Sequence, residues 1–360
     1  MEVDVLIVGA GPAGSTTARY CAGKDLDVLM IDRRKEVGHP VQCGEFLPST
    51  EEMYTMFPKS VDLEELFAPA TDHVAGEVHR IDLVSPKQRV YGCDFEGVTL
   101  DRRAFDKHLA RLATDAGARL ETSASFRRLE NGVARTSLGD IKAKVIVGAD
   151  GPNSRTAAYA GLERPLMRFP AVTCQADGDF GETIKMLFGS VAPGGYAWII
   201  PKRKGANIGV GVNPMVTDAR PSDLFARFAS RLGASYRDVT MGFVPMSGPV
   251  DETVRGNVVL VGDAAGQVMS SNGGGIPISM VAGRIAGRAI REHINGGLPL
   301  SEYERRWRAV LGKPLGNARW TRTLSDLFLS GDSGAEFAMR VLGSRGLARA
   351  IRCSKVFYVF

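Results

Sequence analysis

The sequence predicts an α/β protein built on a doubly wound parallel sheet, with a second subdomain interleaved with the first. Three segments carry that expectation: "VDVLIVGAGPAG" at 3–14, "KAKVIVGADGPNSR" at 142–155 and "GNVVLVGDAAG" at 256–266. Each is a short apolar run that ends in glycine, the pattern of a buried parallel strand feeding a tight turn. The chain has 360 residues, enough for a full core and two subdomains, and no low-complexity linker separates them.

The first segment opens a strand–glycine turn–helix–strand unit. "STTARYCAGK" continues it as a helix, and "LDVLMID" is a second strand ending on Asp32. Gly9 allows the tight turn, Gly11 lets the backbone approach a pyrophosphate, and Gly14 permits close packing of helix on strand. Phosphates sit at such a helix N-terminus because its free N–H groups and dipole favour anions. Pro12 and Ala13 lie in the same turn. Asp32 suits a ribose hydroxyl, and Arg33 follows it as a further candidate cofactor contact. This unit alone does not separate NAD from FAD.

The other two segments point toward a flavin. An acid just past the carboxyl end of a parallel strand lies in the crevice where such sheets bind ligands. Asp150, ahead of a helix entered through Asn153 and Ser154, and Asp263, after Gly262, stand there. Asp263 is suited to a ribityl or ribose hydroxyl. "SSNGGGIPISM" then leads into a long helix, whose first amides, at Gly274, Gly275 and Ile276, are placed to stabilise negative charge on a reduced ring.

Two stretches suggest a substrate site. In "PGGYAWIIPK" (193–202), Tyr196, Trp198 and Ile200 alternate and therefore share one strand face, as an aromatic pocket wall or as sheet core. "GHPVQCGEFLP" (38–48) sets Cys43 in a polar, glycine-rich loop, where reactive thiols occur. Cys21, Cys174 and Cys353 read as small buried hydrophobes, and Cys93 carries no motif. No cysteine spacing suits a metal, so no metal site is expected. The net charge of +5 is too modest to imply nucleic acid. The start lacks the order of a signal peptide, and no apolar run is long enough to span a bilayer. A cytoplasmic protein with at most peripheral membrane contact is expected.

The ordered set of GxGxxG with Asp32, "GADGPNSR" and "VLVGDAAG" resembles the flavoproteins of para-hydroxybenzoate hydroxylase type. The resemblance implies an FAD domain and a second domain whose large mixed sheet lies over the flavin. Within that group the chain resembles the geranylgeranyl reductases of archaeal type. "PGGYAWIIPK" is similar to their P-x-x-Y-x-W-x-F-P signature, with Ile200 at the phenylalanine position. "PVQCGE" resembles their Cys-Gly segment, which places Cys43 and Gly44 beside flavin and substrate. "VTLDRRAFDKHL" resembles the helix whose arginine, here Arg102, reaches FAD, with Asp101 as its N-cap. Asn272 replaces an expected threonine, and "QVMSS" lacks the usual proline.

The segments then divide as 1–72, 101–160 and 251–296 for the FAD domain, 73–100 and 161–250 for the substrate domain, and 297–360 for a helical C-terminal region. The implied activity is saturation of C=C bonds in geranylgeranyl chains of ether lipids. Catalysis would involve Cys43, Gly44, Tyr196 and Trp198, with Tyr196, Trp198 and Ile200 lining the isoprenoid. There is no second dinucleotide fingerprint, since "NIGVGVNP" reads as a strand without a following helix. The electron donor, NAD(P)H or a ferredoxin, stays open. The alternatives are a flavin monooxygenase or halogenase, the latter needing a dedicated lysine, and a non-catalytic FAD-binding sensor or lipid chaperone.

Overall fold

The structure, a computed structural model, describes residues 1–356. Its first sheet has a parallel centre in the order Val258–Leu260, Gly139–Gly148, Glu2–Val8, Val28–Ile31, Arg119–Glu121. Val5, Leu6 and Ile7 are all fully buried, as are Val28 to Ile31. Burial on both faces explains why these strands read as unbroken apolar runs rather than alternating ones. The strand order reverses between Glu2–Val8 and Gly139–Gly148, which puts the ligand crevice at the end of these strands.

Two helices frame that crevice. Pro12–Cys21 follows the glycine turn, and Ile276–Gly296 packs against it with Gly283 and Gly287 facing its backbone. A β-carbon on Gly287 would stand 2.5 Å from the Thr17 carbonyl oxygen, so the small residues set the close approach.

The second sheet also has eight strands, ordered Tyr236–Pro245, Arg168–Ala176, Ala206–Gly211, Tyr196–Pro201, Ile184–Leu187, Val74–Val84, Val90–Leu100, Phe46–Pro48. It is antiparallel apart from the pairing of Ile184–Leu187 with Val74–Val84. The strand Phe46–Pro48 comes from the early segment that carries the glycine turn, yet it joins this sheet. It thereby carries the Cys43 loop from one sheet to the other.

The C-terminal region is helical, with Glu302–Trp307, Lys313–Asp326 and Asp332–Ile351, the last broken by non-helical backbone at Gly343. It is fastened to the second sheet. Leu329 O accepts from Gly194 N at 3.0 Å, just ahead of a sheet strand, and Arg352 donates to Asp94 O at 2.6 Å in the strand Val90–Leu100.

Candidate active site

The glycine turn has the shape its sequence implies. Gly9 has φ +104°, and a β-carbon there would sit 2.3 Å from the Ala149 carbonyl oxygen. Gly14 is tighter still, with a β-carbon 1.8 Å from Gly9 O. At Gly11 nothing lies within 4 Å, which leaves space for a pyrophosphate. The helix Pro12–Cys21 has no side-chain cap, so its first amides are free for an anion. Asp32 Oδ2 accepts from Ala10 N at 2.9 Å and Oδ1 from Arg34 N at 2.8 Å, tying the second strand to the turn. Arg33 is exposed. A cleft of about 590 Å³ lined by Arg34, Lys35, Glu36, His39 and Pro40 opens nearby.

The two acids behave differently. Asp150 faces the next helix: it accepts from Ser154 Oγ at 2.6 Å, Arg155 N at 2.8 Å and Thr156 N at 3.1 Å. Those bonds hold the start of Arg155–Tyr159, which Ser154 also caps. Asp263 has no donor from the described residues. Burial pushes its carboxyl up to about 6, against the pull of the Arg102 guanidinium. A carboxylate left in this state suits a ligand hydroxyl as its missing donor. Its turn is braced from behind, where Gln267 accepts from Gly262 N at 2.8 Å and donates to Tyr303 at 2.9 Å.

Asn272 explains itself in place. Its Oδ1 accepts from Gly274 N at 2.9 Å, and its Nδ2 donates to Ile351 O at 2.9 Å. The Gly274 amide is therefore engaged within the loop. Gly275 and Ile276 supply the first open amides of the long helix.

Arg102 is largely enclosed, its side chain 11% exposed, and is not a free surface cation. It forms a two-pronged pair with Asp106, both bonds 2.9 Å, from a helix capped by Asp101. Burial opposes its charge, but Asp106, Cys43 and Glu45 raise its pKa overall. Its charge reaches both Cys43 and Asp263.

The second sheet forms the facing wall. Tyr196, Trp198 and Ile200 pair with Gly211, Gly209 and Asn207 on the next strand, so all six share a face. The Tyr196 ring lies tilted 5.9 Å from Phe188 and meets Trp198 edge-on at 5.9 Å, and its hydroxyl donates to Asn272 O. The indole lies over Gly209, where a β-carbon would meet Trp198 Cζ2 at 2.1 Å. Those strand glycines make room for the aromatic wall.

Cys43 and Gly44 lie against this wall. A β-carbon on Gly44 would be 2.8 Å from Ile200 Cδ1. The Cys43 thiol is half-buried and accepts from Glu45 N at 3.2 Å. Burial pushes it up, with Arg102 pulling the other way, so the net direction favours the protonated thiol.

What holds this loop is not visible in the linear sequence. Asn207 is fully buried. Its Oδ1 accepts from Trp198 Nε1 at 2.7 Å and Thr173 Oγ1 at 2.8 Å, and its Nδ2 donates to Cys43 O and Glu45 Oε2, both at 2.9 Å. Glu45, 2% exposed and at φ +67°, also accepts from Lys202 Nζ and Gln175 Nε2, both at 2.7 Å. The outer end of the loop is latched to the edge strand, where Thr240 Oγ1 donates to Val41 O at 2.5 Å and Gln42 donates to Met241 O. The sequence offered a signal only at Glu45, inside the Cys-Gly segment.

Fold and site define a dinucleotide-binding α/β protein whose second domain closes a mixed sheet over the cofactor crevice. Residues 167–243 match the family model described as geranylgeranyl reductase catalytic domain, and 7–50 match an NAD(P)-binding Rossmann-like domain. The chain is 36% identical over 337 residues to a digeranylgeranylglycerophospholipid reductase of Methanosarcina acetivorans, covering 86% of this chain and 81% of that one. A solved geranylgeranyl bacteriochlorophyll reductase-like protein of Thermoplasma acidophilum superposes with a TM-score of 0.80 at 27% identity, covering 93% and 90% of the two chains. A flavin-dependent brominase, at 17% identity and TM-score 0.71 over 98% and 94%, shares the fold. The chain belongs to the geranylgeranyl reductase family.

Proposed function

We propose that this protein is an FAD-dependent reductase that saturates C=C bonds of geranylgeranyl chains on archaeal-type ether phospholipids. One observation carries the reading: the Cys43–Gly44 loop is pinned by Asn207 and Glu45 against the apolar strand face of Tyr196, Trp198 and Ile200. An unactivated alkene offers no polar handle, so a reductase must supply alignment and a dry wall. A reduced flavin, when bound, supplies the hydride to one alkene carbon. Gly9, Gly11, Pro12, Ala13, Gly14, Asp32, Arg33, Gly262, Asp263, Gly275 and Ile276 would hold it, with Arg102 and Asp150 setting the surrounding charge and helix; Gly274, whose amide is taken by Asn272, would shape the loop instead. The aromatic wall orients the isoprenoid and excludes water, while Cys43 Sγ, kept protonated by its surroundings, holds the proton for the second carbon.

The halogenase reading loses its lysine: Lys202 Nζ is held by Glu45 at 2.7 Å and Gln175 at 3.0 Å, with its side chain 13% exposed. The reductant is NAD(P)H or a ferredoxin docking transiently. Among the described residues no helix is long and apolar enough to cross a membrane, and the lipid would be met at a membrane surface. The test is anaerobic photoreduction of the flavin-loaded protein, addition of geranylgeranyl ether lipid, and mass spectrometry of the lipid. Saturated product supports the reading; unchanged lipid with competent reduced flavin removes it.

A further inference from the structure

Glu45 bears two costs that fastening the loop does not explain. Its backbone sits at φ +67°, a left-handed conformation that a residue with a β-carbon rarely adopts. Its carboxyl is enclosed, and it only accepts. Oε2 takes Lys202 Nζ and Gln175 Nε2, both at 2.7 Å, and Asn207 Nδ2 at 2.9 Å, while Oε1 takes Arg102 N at 3.4 Å. A carboxyl in that role is the charged form. A buried ion pair holds a structure no better than well-packed neutral side chains do. Asn207 already pins the loop through Cys43 O at 2.9 Å.

The residue is distinguished by its neighbour. Glu45 N donates to Cys43 Sγ at 3.2 Å, so the amide and the carboxylate of one residue both act on the sulfur. Charged and titratable groups face that sulfur from three elements. They are Glu45 in its own loop, Arg102 and Asp106 from the helix Arg102–Asp115, and Tyr196 from the wall strand. Glu45 and Asp106 disfavour a thiolate, whereas Arg102 and the Glu45 amide favour it. Asp106 is committed to Arg102 in two bonds of 2.9 Å. Glu45 is therefore the anion beside the sulfur that does not pair with the cation facing it.

That anion cannot swing away. Gln175 lies in the strand Arg168–Ala176, Lys202 directly follows Tyr196–Pro201, and Asn207 lies in Ala206–Gly211. Lys202 Nζ also donates to Gln175 Oε1 at 3.0 Å, which locks the donors to one another. A charge fixed in an enclosed site acts on its neighbour without reorganising when the neighbour's own charge changes.

We propose that Glu45 is the positioning residue for the Cys43 proton: its amide fixes the sulfur, and its carboxylate, clamped by Lys202, Gln175 and Asn207, keeps the proton there until an alkene carbon takes it. This rests on the proposed reduction, in which hydride from the reduced flavin carries both electrons to one carbon of the double bond. The other carbon takes the proton as the S–H bond breaks. The electron pair of that bond stays on sulfur as a thiolate, which meets Arg102 and the Glu45 amide. Water returns the proton between turnovers.

The experiment uses full-length, flavin-loaded protein and two readouts, each followed against pH. One is iodoacetamide alkylation of Cys43, located by peptide mass spectrometry; the other is anaerobic single-turnover reduction of geranylgeranyl ether lipid. Glu45→Gln accompanies wild type, together with E45Q/K202M, which leaves no unpaired lysine. Removing an anion beside the sulfur makes the thiolate easier to form. Alkylation of Glu45→Gln near neutral pH should therefore be about tenfold faster than in wild type, a shift of about one pH unit. The double variant also lacks the nearby cation and should be faster by a smaller factor. The alkaline limb of the single-turnover profile, where sulfur loses its proton, should move down by about the same unit in Glu45→Gln. Below about pH 7 its rate should match wild type, because the thiol is again protonated. Wild-type alkylation and an unmoved limb in both variants overturn the proposal. So does a rate lowered equally at every pH, which is what a residue that only fastens the loop gives. Failure of both variants to retain FAD makes Glu45 a residue of the fold and overturns it as well. Faster alkylation in the variants of a protein that saturates no double bond would remove the proposed reaction and leave Glu45 as the residue that sets the Cys43 proton.

Discussion

Asn207 shows what a single amide can hold together. Its four hydrogen bonds join the indole of Trp198, Thr173, the Cys43 carbonyl and Glu45. Replacing it with alanine strands several buried partners, each costing about 1–3 kcal/mol. We expect Asn207→Ala to destabilise the fold by roughly 3–5 kcal/mol in urea titration and to slow lipid reduction in the fraction that stays folded. Wild-type stability would show that the network contributes little. Asp263 gives a second expectation, with a sign. The flavin-free carboxyl titrates near 6, so it is protonated below that pH and ionised above. A flavin hydroxyl donates to the ionised form and therefore lowers its pKa in the complex. FAD affinity should be level above about pH 6 and weaken as pH falls below it. Asp263→Asn should weaken binding about tenfold and flatten that dependence, read by flavin fluorescence. A wild-type pH profile in the variant would assign the titration to another group. Cys43→Ser, nearly isosteric but a far weaker acid, should leave flavin binding intact and slow the single-turnover rate by about a hundredfold. An unchanged rate would make Cys43 a part of the wall alone.

At the scale of elements, the strand pair Tyr196–Pro201 and Ala206–Gly211 shows how one motif can hide another's purpose. Alternation made the shared face of Tyr196, Trp198 and Ile200 legible, because a strand's period is fixed by its backbone. "NIGVGVNP" reads as a strand and is one over Ala206–Gly211, but its pattern gives no reason for Gly209, which is small because the Trp198 ring lies on it. Gly209→Ala should push the indole from its place and destabilise the protein by about 1–3 kcal/mol. It should also alter the preference between short and long isoprenoids while FAD is retained. Unaltered stability and chain-length preference would show that the ring has slack. The glycine turn, the "GADG" and "VGDAAG" strand ends and the capped Arg102 helix were equally legible, since local turn and cap chemistry dictates them. Asn207 was not, because its partners Cys43 and Glu45 lie 164 and 162 residues away and only the sheet brings them together. Nor was the inward pairing of Arg102 with Asp106, which an isolated helix could equally present to water.

For the molecule as a whole, the chain crosses between its two sheets, and the crossing at 38–48 builds the candidate catalytic loop. One end is set by the cofactor domain through Arg34, which donates to Gln42 Oε1 at 3.0 Å, and the other by the buried Glu45 cluster of the second sheet. The proposed flavin site and the proposed substrate wall would thus be coupled by one short segment. The C-terminal helices are bonded to the same wall through Gly194 and through Asn272, which takes the Tyr196 hydroxyl. The most direct test of the account is a single-turnover reaction without oxygen, in which photoreduced protein is mixed with a geranylgeranyl ether lipid. Flavin absorbance and lipid mass are followed together. The account predicts that one double bond is saturated for each flavin reoxidised. Flavin that stays reduced in the presence of lipid, or reoxidises only when oxygen is admitted and leaves an oxygenated product, would contradict it.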